Sequence, residues 1–189
     1  MNPQRNECSL HTHFARLAGS APLWFLICGL MLPGKLLACP EDSVALRYLD
    51  AIESMEWQRM RSLLADDARY TDPTMIYFDR EAIDIRGADG IVEFWRSSSE
   101  DSGTSQIGYE TTGCFETAGY YVVSLEIRIT VSGEFWNIGK PEIVLPGKVL
   151  SIIRAVDGRV IEHNDYVEYS NVDRVVAELQ KKYGKAYTE

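Results

Sequence analysis

An Asp-Gly pair between two β-branched runs constrains this chain more than any other feature. Asp157-Gly158 has the form of a two-residue hairpin turn, whose favoured geometry needs a positive φ at both central residues. Residues 148–156 before it and 159–169 after it therefore read as antiparallel strands. Side chains alternate faces along a strand. In the second strand Val160, Glu162, Asn164, Tyr166 and Glu168 form one face, mostly polar and suited to water. Ile161, His163, Asp165, Val167 and Tyr169 form the other, which should look inward. It carries an imidazole and a carboxylate between aliphatic neighbours, and burying such groups is costly unless they are paired or functional. The rest of the chain reads as walls around that face. A regular hairpin puts Ile152 opposite His163 and Leu150 opposite Asp165. Desolvation by these aliphatic neighbours should raise the Asp165 pKa unless His163 is charged, and the two groups should titrate as a coupled pair.

The segments before the hairpin supply those walls. Asp42 or Ser43 can cap a helix with Val44, Ala45, Tyr48, Leu49 and Ile52 at helical spacing, and residues 56–64 add a second around Trp57, Met60 and Leu64. Residues 68–72 form a short strand that Pro73 ends. Residues 74–86, with Met75, Ile76, Tyr77 and Phe78, read as a loop or short edge strand. A third helix starts between Gly87 and Gly90 and contains Phe94 and Trp95, followed by a polar linker over 97–105. Strands over 106–117 and 120–131 come next, the second with Tyr121, Val123, Leu125, Ile127, Ile129 and Val131 on one face. A last helix spans about 172–183. Helices first and antiparallel strands after give an α+β class: a curved, mainly antiparallel sheet around N-terminal helices, plus a C-terminal helix. Its concave side leaves room for a small molecule.

The formal net charge of -9 and the lack of a basic cluster argue against a nucleic-acid partner. Residues 1–38 read as a secretory signal: a front with Arg5 and Arg16, an apolar run from Ala21 to Leu32 too short to span a bilayer, and Ala38 before a cut. The domain is then 39–189, periplasmic or held on the periplasmic side of a membrane. Leu36-Leu37-Ala38-Cys39 is similar to a bacterial lipobox, which implies a lipid on Cys39. A disulfide with Cys114 is the alternative in an oxidising compartment, and an inert buried thiol is the expectation for Cys114 in its alternating strand. After residue 38 the chain has one histidine, His163, and no paired ligand spacing, so no metal and no cofactor are expected.

The element order, with Ala-Asp-Asp-Ala-Arg-Tyr-Thr-Asp-Pro after the first two helices, resembles the nuclear transport factor 2-like superfamily over about residues 43–169. Within it the chain is similar to SnoaL-like polyketide cyclases and ketosteroid isomerases. The isomerase resemblance implies Asp72 as general base and Tyr48 as hydrogen-bond donor to an oxyanion. It puts Leu150 or Ile152 where that group has a second, protonated donor. The cyclase resemblance implies Asp165 as the acid-base residue, with His163 two residues before it. Trp57, Tyr77, Phe78, Trp95, Leu150, Ile152 and Val167 are the expected ligand contacts. Bland roles stand beside these: Asp72 as a turn cap, Tyr48 as core, His163 and Asp165 as a structural pair. Two functions follow. One is acid-base chemistry at an apolar carbonyl compound, cyclase- or isomerase-like. The other is a non-catalytic periplasmic binding or accessory domain. The resemblance also implies a homodimer through the outer sheet face, with Tyr120, Val122, Val160 and Tyr166.

Overall fold

The computed structural model describes residues 37–78 and 80–184. Most of the expected signal, 1–36, lies outside the described residues.

A two-residue strand β1 (Leu37–Ala38) is followed by helices α1 (Val44–Glu53) and α2 (Trp57–Leu63) and strand β2 (Leu64–Asp72). A 3₁₀ turn (Pro73–Phe78), strand β3 (Ile83–Arg86) and helix α3 (Ala88–Asp101) come next. Strands β4 (Gln106–Thr117), β5 (Tyr120–Ser132), β6 (Glu142–Val156) and β7 (Arg159–Val167) then lead to helix α4 (Tyr169–Tyr183). The seven strands make one sheet in the order β1-β4-β5-β6-β7-β2-β3. All neighbours are antiparallel except β2 and β7, which are parallel. The sheet is curved and unclosed, the α+β architecture expected.

Local chemistry explains the elements. Ser43 caps α1, its hydroxyl accepting from the Leu46 amide, and Val44, Tyr48, Leu49 and Ile52 bury one stripe of that helix. That stripe packs on Val123, Leu125 and Ile153 of the sheet to form the main core. Ser97 to Asp101, expected as linker, continue α3. Their serine hydroxyls return to the carbonyls of the preceding turn, which keeps a polar helix end satisfied. A second cluster of Val131, Ile138, Ile143 and Leu145 is covered by Val172, Val175, Val176 and Leu179 of α4.

The β6–β7 hairpin turns at Asp157 and Gly158, with φ of 51° and 75°. Next to the turn the pairing is the regular one, Val156 with Arg159 and Ala155 with Val160. The ladder then shifts, so that Arg154 pairs with Glu162, Ile153 with His163 and Ser151 with Asp165. Ile161 is the extra residue of a β-bulge. Three expectations are corrected by it. Val160, not Ile161, is buried, so Val160 cannot belong to an outer interface. Ile153 and Ser151 replace Ile152 and Leu150 on the inner face. Leu150 lies opposite Tyr166 and is 40% exposed, and Ile152 lies opposite Asn164.

Cys114 is not a free thiol: it forms a disulfide with Cys39. The bond ties the segment before α1 to β4. Leu37 and Ala38, assigned to the signal by the sequence pattern, pair with Glu116 and Phe115 as β1.

Candidate functional site

Three neighbouring strands set the site. The inward residues of β2 are Ala68, Tyr70 and Asp72, a period-two pattern. Tyr70 lies beside His163 in the parallel β2–β7 pair, and Ile153 lies beside His163 on the other side. One inward step further, Ser151 lies beside Asp165. The sheet thus delivers two rings, a hydroxyl and a carboxylate to one patch of the concave face, and α1 sets Tyr48 edge-on against His163.

Asp165 is 5% exposed and fully provided with donors. Its Oδ1 accepts from Ser151 Oγ at 2.5 Å and from His163 Nε2 at 2.8 Å, and its Oδ2 accepts from Tyr70 Oη at 3.2 Å. Burial pushes the carboxyl pKa up. The charge and hydrogen bond of His163, together with the bonds from Ser151 and Tyr70, outweigh it, and the net shift is downward from 3.8. The expected upward shift is therefore corrected, because the residue opposite Asp165 is a hydroxyl donor and not Leu150.

A carboxylate only accepts, so His163 Nε2 carries the proton. His163 Nδ1 lies 3.3 Å from the Tyr48 hydroxyl. That hydroxyl donates to a neutral ring and accepts from an imidazolium. Both ring nitrogens are thereby occupied. Tyr48 is wholly buried, and burial followed by the Asp165 charge holds its phenol well above its usual pKa. It sits behind His163 and does not reach the cavity wall, so it is not placed to donate to a ligand.

Asp72 combines both of its expected settings. Its Oδ1 accepts from the Thr74 amide at 2.9 Å and the Thr74 hydroxyl at 2.5 Å, as a cap of the 3₁₀ turn does. Thr74 Oγ1 in turn accepts from the Val167 amide. Asp72 Oδ2 accepts from Tyr169 Oη at 2.5 Å, and the carboxylate borders the cavity.

That cavity measures about 270 Å³ and lies between the concave sheet and α3, with the start of α4 and the 3₁₀ turn along its rim. Tyr70, Asp72, Ser151, His163, Asp165 and Tyr169 give it a polar end. Leu125, Ile127, Ile129, Leu145 and Val149 line the rest, with Trp95 and Phe94 of α3 above them. Of the expected contacts, Trp95 and Val167 line it. Five others do not. Trp57 packs against the core from α2. Tyr77 stacks on Tyr169 at 6.5 Å between centroids, and Phe78 meets it edge-on at 4.8 Å. Leu150 and Ile152 face outward through the bulge. Tyr169, expected on the inward face, lines the cavity, whereas Tyr70, Ser151 and Tyr109 were missed; Tyr70 and Ser151 follow from strand alternation once the register is known. No cluster able to hold a metal is found among the described residues.

A curved sheet with helices on its concave side is the architecture of the nuclear transport factor 2-like proteins. The SnoaL-like domain family matches residues 45–163, more than half of the chain, and the chain belongs to it. Its fold is that of a candidate SnoaL-like polyketide cyclase from Shewanella denitrificans OS-217. The identity is 19%, the overlap covers 71% of this chain and 95% of that one, and the TM-score is 0.62. IdmH, a candidate polyketide cyclase from Streptomyces antibioticus, gives 19%, 71%, 96% and 0.59 by the same measures. An epoxide hydrolase-like protein of M. tuberculosis gives 13%, 73%, 90% and 0.55. At these identities the likeness is one of fold. No curated protein matches the chain.

Proposed function

We propose that this is an exported domain that binds a small, largely apolar carbonyl compound in the cavity and moves a proton at the carbon beside the carbonyl, with Asp165 as the base. The observation that carries this reading is Asp165 itself: a buried carboxylate at the cavity wall, its pKa held down by His163, Ser151 and Tyr70, whose Oδ2 accepts from Tyr70 alone among the described residues. In the first step the C–H bond breaks, its proton goes to Asp165 Oδ2 and the electron pair moves to the carbonyl oxygen as an enolate. Return of the proton at another carbon is an isomerisation. Attack of the enolate carbon on a second carbonyl of the same molecule forms a C–C bond and closes a ring, while the π pair of that carbonyl moves to its oxygen, which takes the proton back from Asp165. A carboxylate with a depressed pKa is a weak base, so the reading favours acidic carbons, such as one between two carbonyls.

His163 then orients and charges Asp165, and Tyr48 orients His163. Asp72 holds Tyr169 at the rim. The Cys39–Cys114 disulfide supports export, since such bonds persist in oxidising compartments. Exposed Tyr120, Val144, Leu150 and Tyr166 on the outer sheet face support a homodimer. A lipid on Cys39 would need the sulfur that the disulfide occupies.

The test uses 2-tetralone in D₂O. Wild-type protein should accelerate exchange of the C1 hydrogens, followed by proton NMR, and Asp165→Asn should abolish the acceleration. A second reading, a non-catalytic binding domain, draws on the occupation of both His163 nitrogens. It predicts that 2-tetralone binds without any acceleration.

A further inference from the structure

We propose that Tyr109 of β4 is the residue that binds the ligand's carbonyl oxygen, the partner of Asp165 across the cavity. The inference rests on the reading above, because it assigns the oxygen of the same ligand. It starts from a count of donors at the polar end. Tyr48 Oη is engaged by His163, Tyr70 Oη and Ser151 Oγ by Asp165, and Tyr169 Oη by Asp72. Each of these hydroxyls is committed to holding an acid or the imidazole in place. A carbonyl oxygen entering beside Asp165 finds none of them free.

Tyr109 differs. Its backbone amide is bound by Glu53 Oε1 at 3.0 Å, which fixes the residue at the edge of α1. Its side chain lines the cavity, and its hydroxyl has no hydrogen-bond partner among the described residues. On the neighbouring strands Ile127 stands beside it, and the Ile127 side chain leans over Gly147, the next position on β6. Among the described residues the enclosed polar side-chain atoms without a partner are Trp95 Nε1 and Trp136 Nε1, so the unpaired Tyr109 hydroxyl borders open space. The ring is also near enough to the dyad for its ionisation to be opposed by Asp165. Burial first, then Asp165, then Glu53 raise the Tyr109 pKa far above the usual phenol value. A phenol kept neutral is a donor, and a donor aimed at developing negative charge in a dry site is the arrangement that stabilises an enolate.

Trp95 and Trp136 are the rival donors, since both line the cavity and both indole Nε1 atoms are buried without a partner. The Trp95 ring, 5.5 Å from that of Tyr70, is the one beside the polar end. Tyr109 is preferred because Trp95 Nε1 is enclosed by its own packing, whereas the Tyr109 hydroxyl needs no rearrangement of a ring.

The test compares 2-tetralone with tetralin, which has the same ring system without the oxygen, by calorimetric titration of the purified protein. Wild type should bind the ketone about tenfold more tightly, the scale of one hydrogen bond. Tyr109→Phe removes a single oxygen atom. It should bring the two affinities to within about twofold, leave tetralin binding unchanged and slow C1 exchange by about a hundredfold. Trp95→Phe should keep the preference. An unchanged preference in Tyr109→Phe, or its loss in Trp95→Phe alone, overturns the assignment while the parent reading stands. Failure of wild type to bind either compound overturns both. Should Tyr109→Phe fail to fold, the assigned ring resonances of Tyr109 in wild type decide: they shift with 2-tetralone more than with tetralin, or the assignment is wrong.

Discussion

At the scale of single residues, the site is built from groups with two duties. Asp165 is a carboxylate that the cavity exposes to a ligand, and it is also the acceptor that satisfies Ser151, His163 and Tyr70. Stability therefore does not separate a catalytic from a structural Asp165. Asp165→Asn turns an acceptor into a donor against Ser151 or His163, and we expect a loss of about 1–3 kcal/mol in chemical denaturation together with the loss of exchange activity. The pH dependence has a definite sign. A carboxyl whose folded pKa lies below the unfolded value contributes stability that is present above that value and lost as pH falls through the folded one. With a net downward shift from 3.8, wild type should lose stability on acidification below about pH 4, and Asp165→Asn should lack that part of the loss. Urea midpoints from pH 2.5 to 6 would measure it; parallel curves would mean that Asp165 is not held ionised. Tyr48 has one duty. Tyr48→Phe should cost about 1 kcal/mol and slow exchange, yet leave the affinity for 2-tetralone unchanged, because among the described residues its hydroxyl meets only His163.

At the scale of elements, the decisive feature is one residue in the β6–β7 hairpin. The turn was legible, since Asp157-Gly158 has the required conformation at both positions. So was the inward direction of His163, Asp165 and Val167, which alternation alone fixes within β7. The identity of their neighbours was not, because a bulge leaves no mark in the residue pattern here: Val160, Ile161 and Val156 are all β-branched and fit either face. Shifting a ladder by one residue exchanges its faces. Leu150 and Ile152 thus went outward and Ser151 came in, which reversed the expected direction of the Asp165 shift. The rim was hard to read for another reason. Tyr77 and Phe78 are aromatic, but they sit in a 3₁₀ turn whose orientation depends on the Asp72–Thr74–Val167 chain of hydrogen bonds, a tertiary arrangement with no periodicity. A pair of substitutions tests the register. Leu150→Ala should leave 2-tetralone binding as it is, whereas Val149→Ala, which enlarges the cavity wall, should weaken it severalfold; the reverse would restore the regular hairpin. Asp72→Ala should free residues 73–78 and the first turn of α4, seen as faster amide exchange there without a matching change in β5.

At the scale of the whole molecule, the chain has a fold legible from its order of helices and strands and a staple that was not. Cys39 and Cys114 are 75 residues apart, and nothing in the spacing of two cysteines selects a bond over a lipid or a free thiol. The fold selects it, because β4 passes the segment before α1 and brings the two Cα atoms to 5.5 Å. Closing a loop of this length is worth on the order of 4 kcal/mol in the chain-entropy account. Its effect falls on the N-terminal edge, where β1 contributes only two residue pairs to the sheet. The bond and the expected lipid compete for one atom. If export proceeds with cleavage near Ala38, β1 is removed or shortened, and the disulfide then holds the new terminus against β4. Protein recovered from the periplasm of a bacterial host should therefore lack residues 1–38, partition into the aqueous phase of a detergent extraction, and show the Cys39 and Cys114 peptides joined in a non-reducing digest. Cys39→Ser should partition in the same way and unfold at a lower temperature. A detergent-phase protein that becomes aqueous in Cys39→Ser would show the sulfur carrying lipid, with Cys114 left as a thiol. A full-length chain in the cytoplasm with both cysteines reduced would remove export altogether, and the cavity would then have to find its ligand inside the cell.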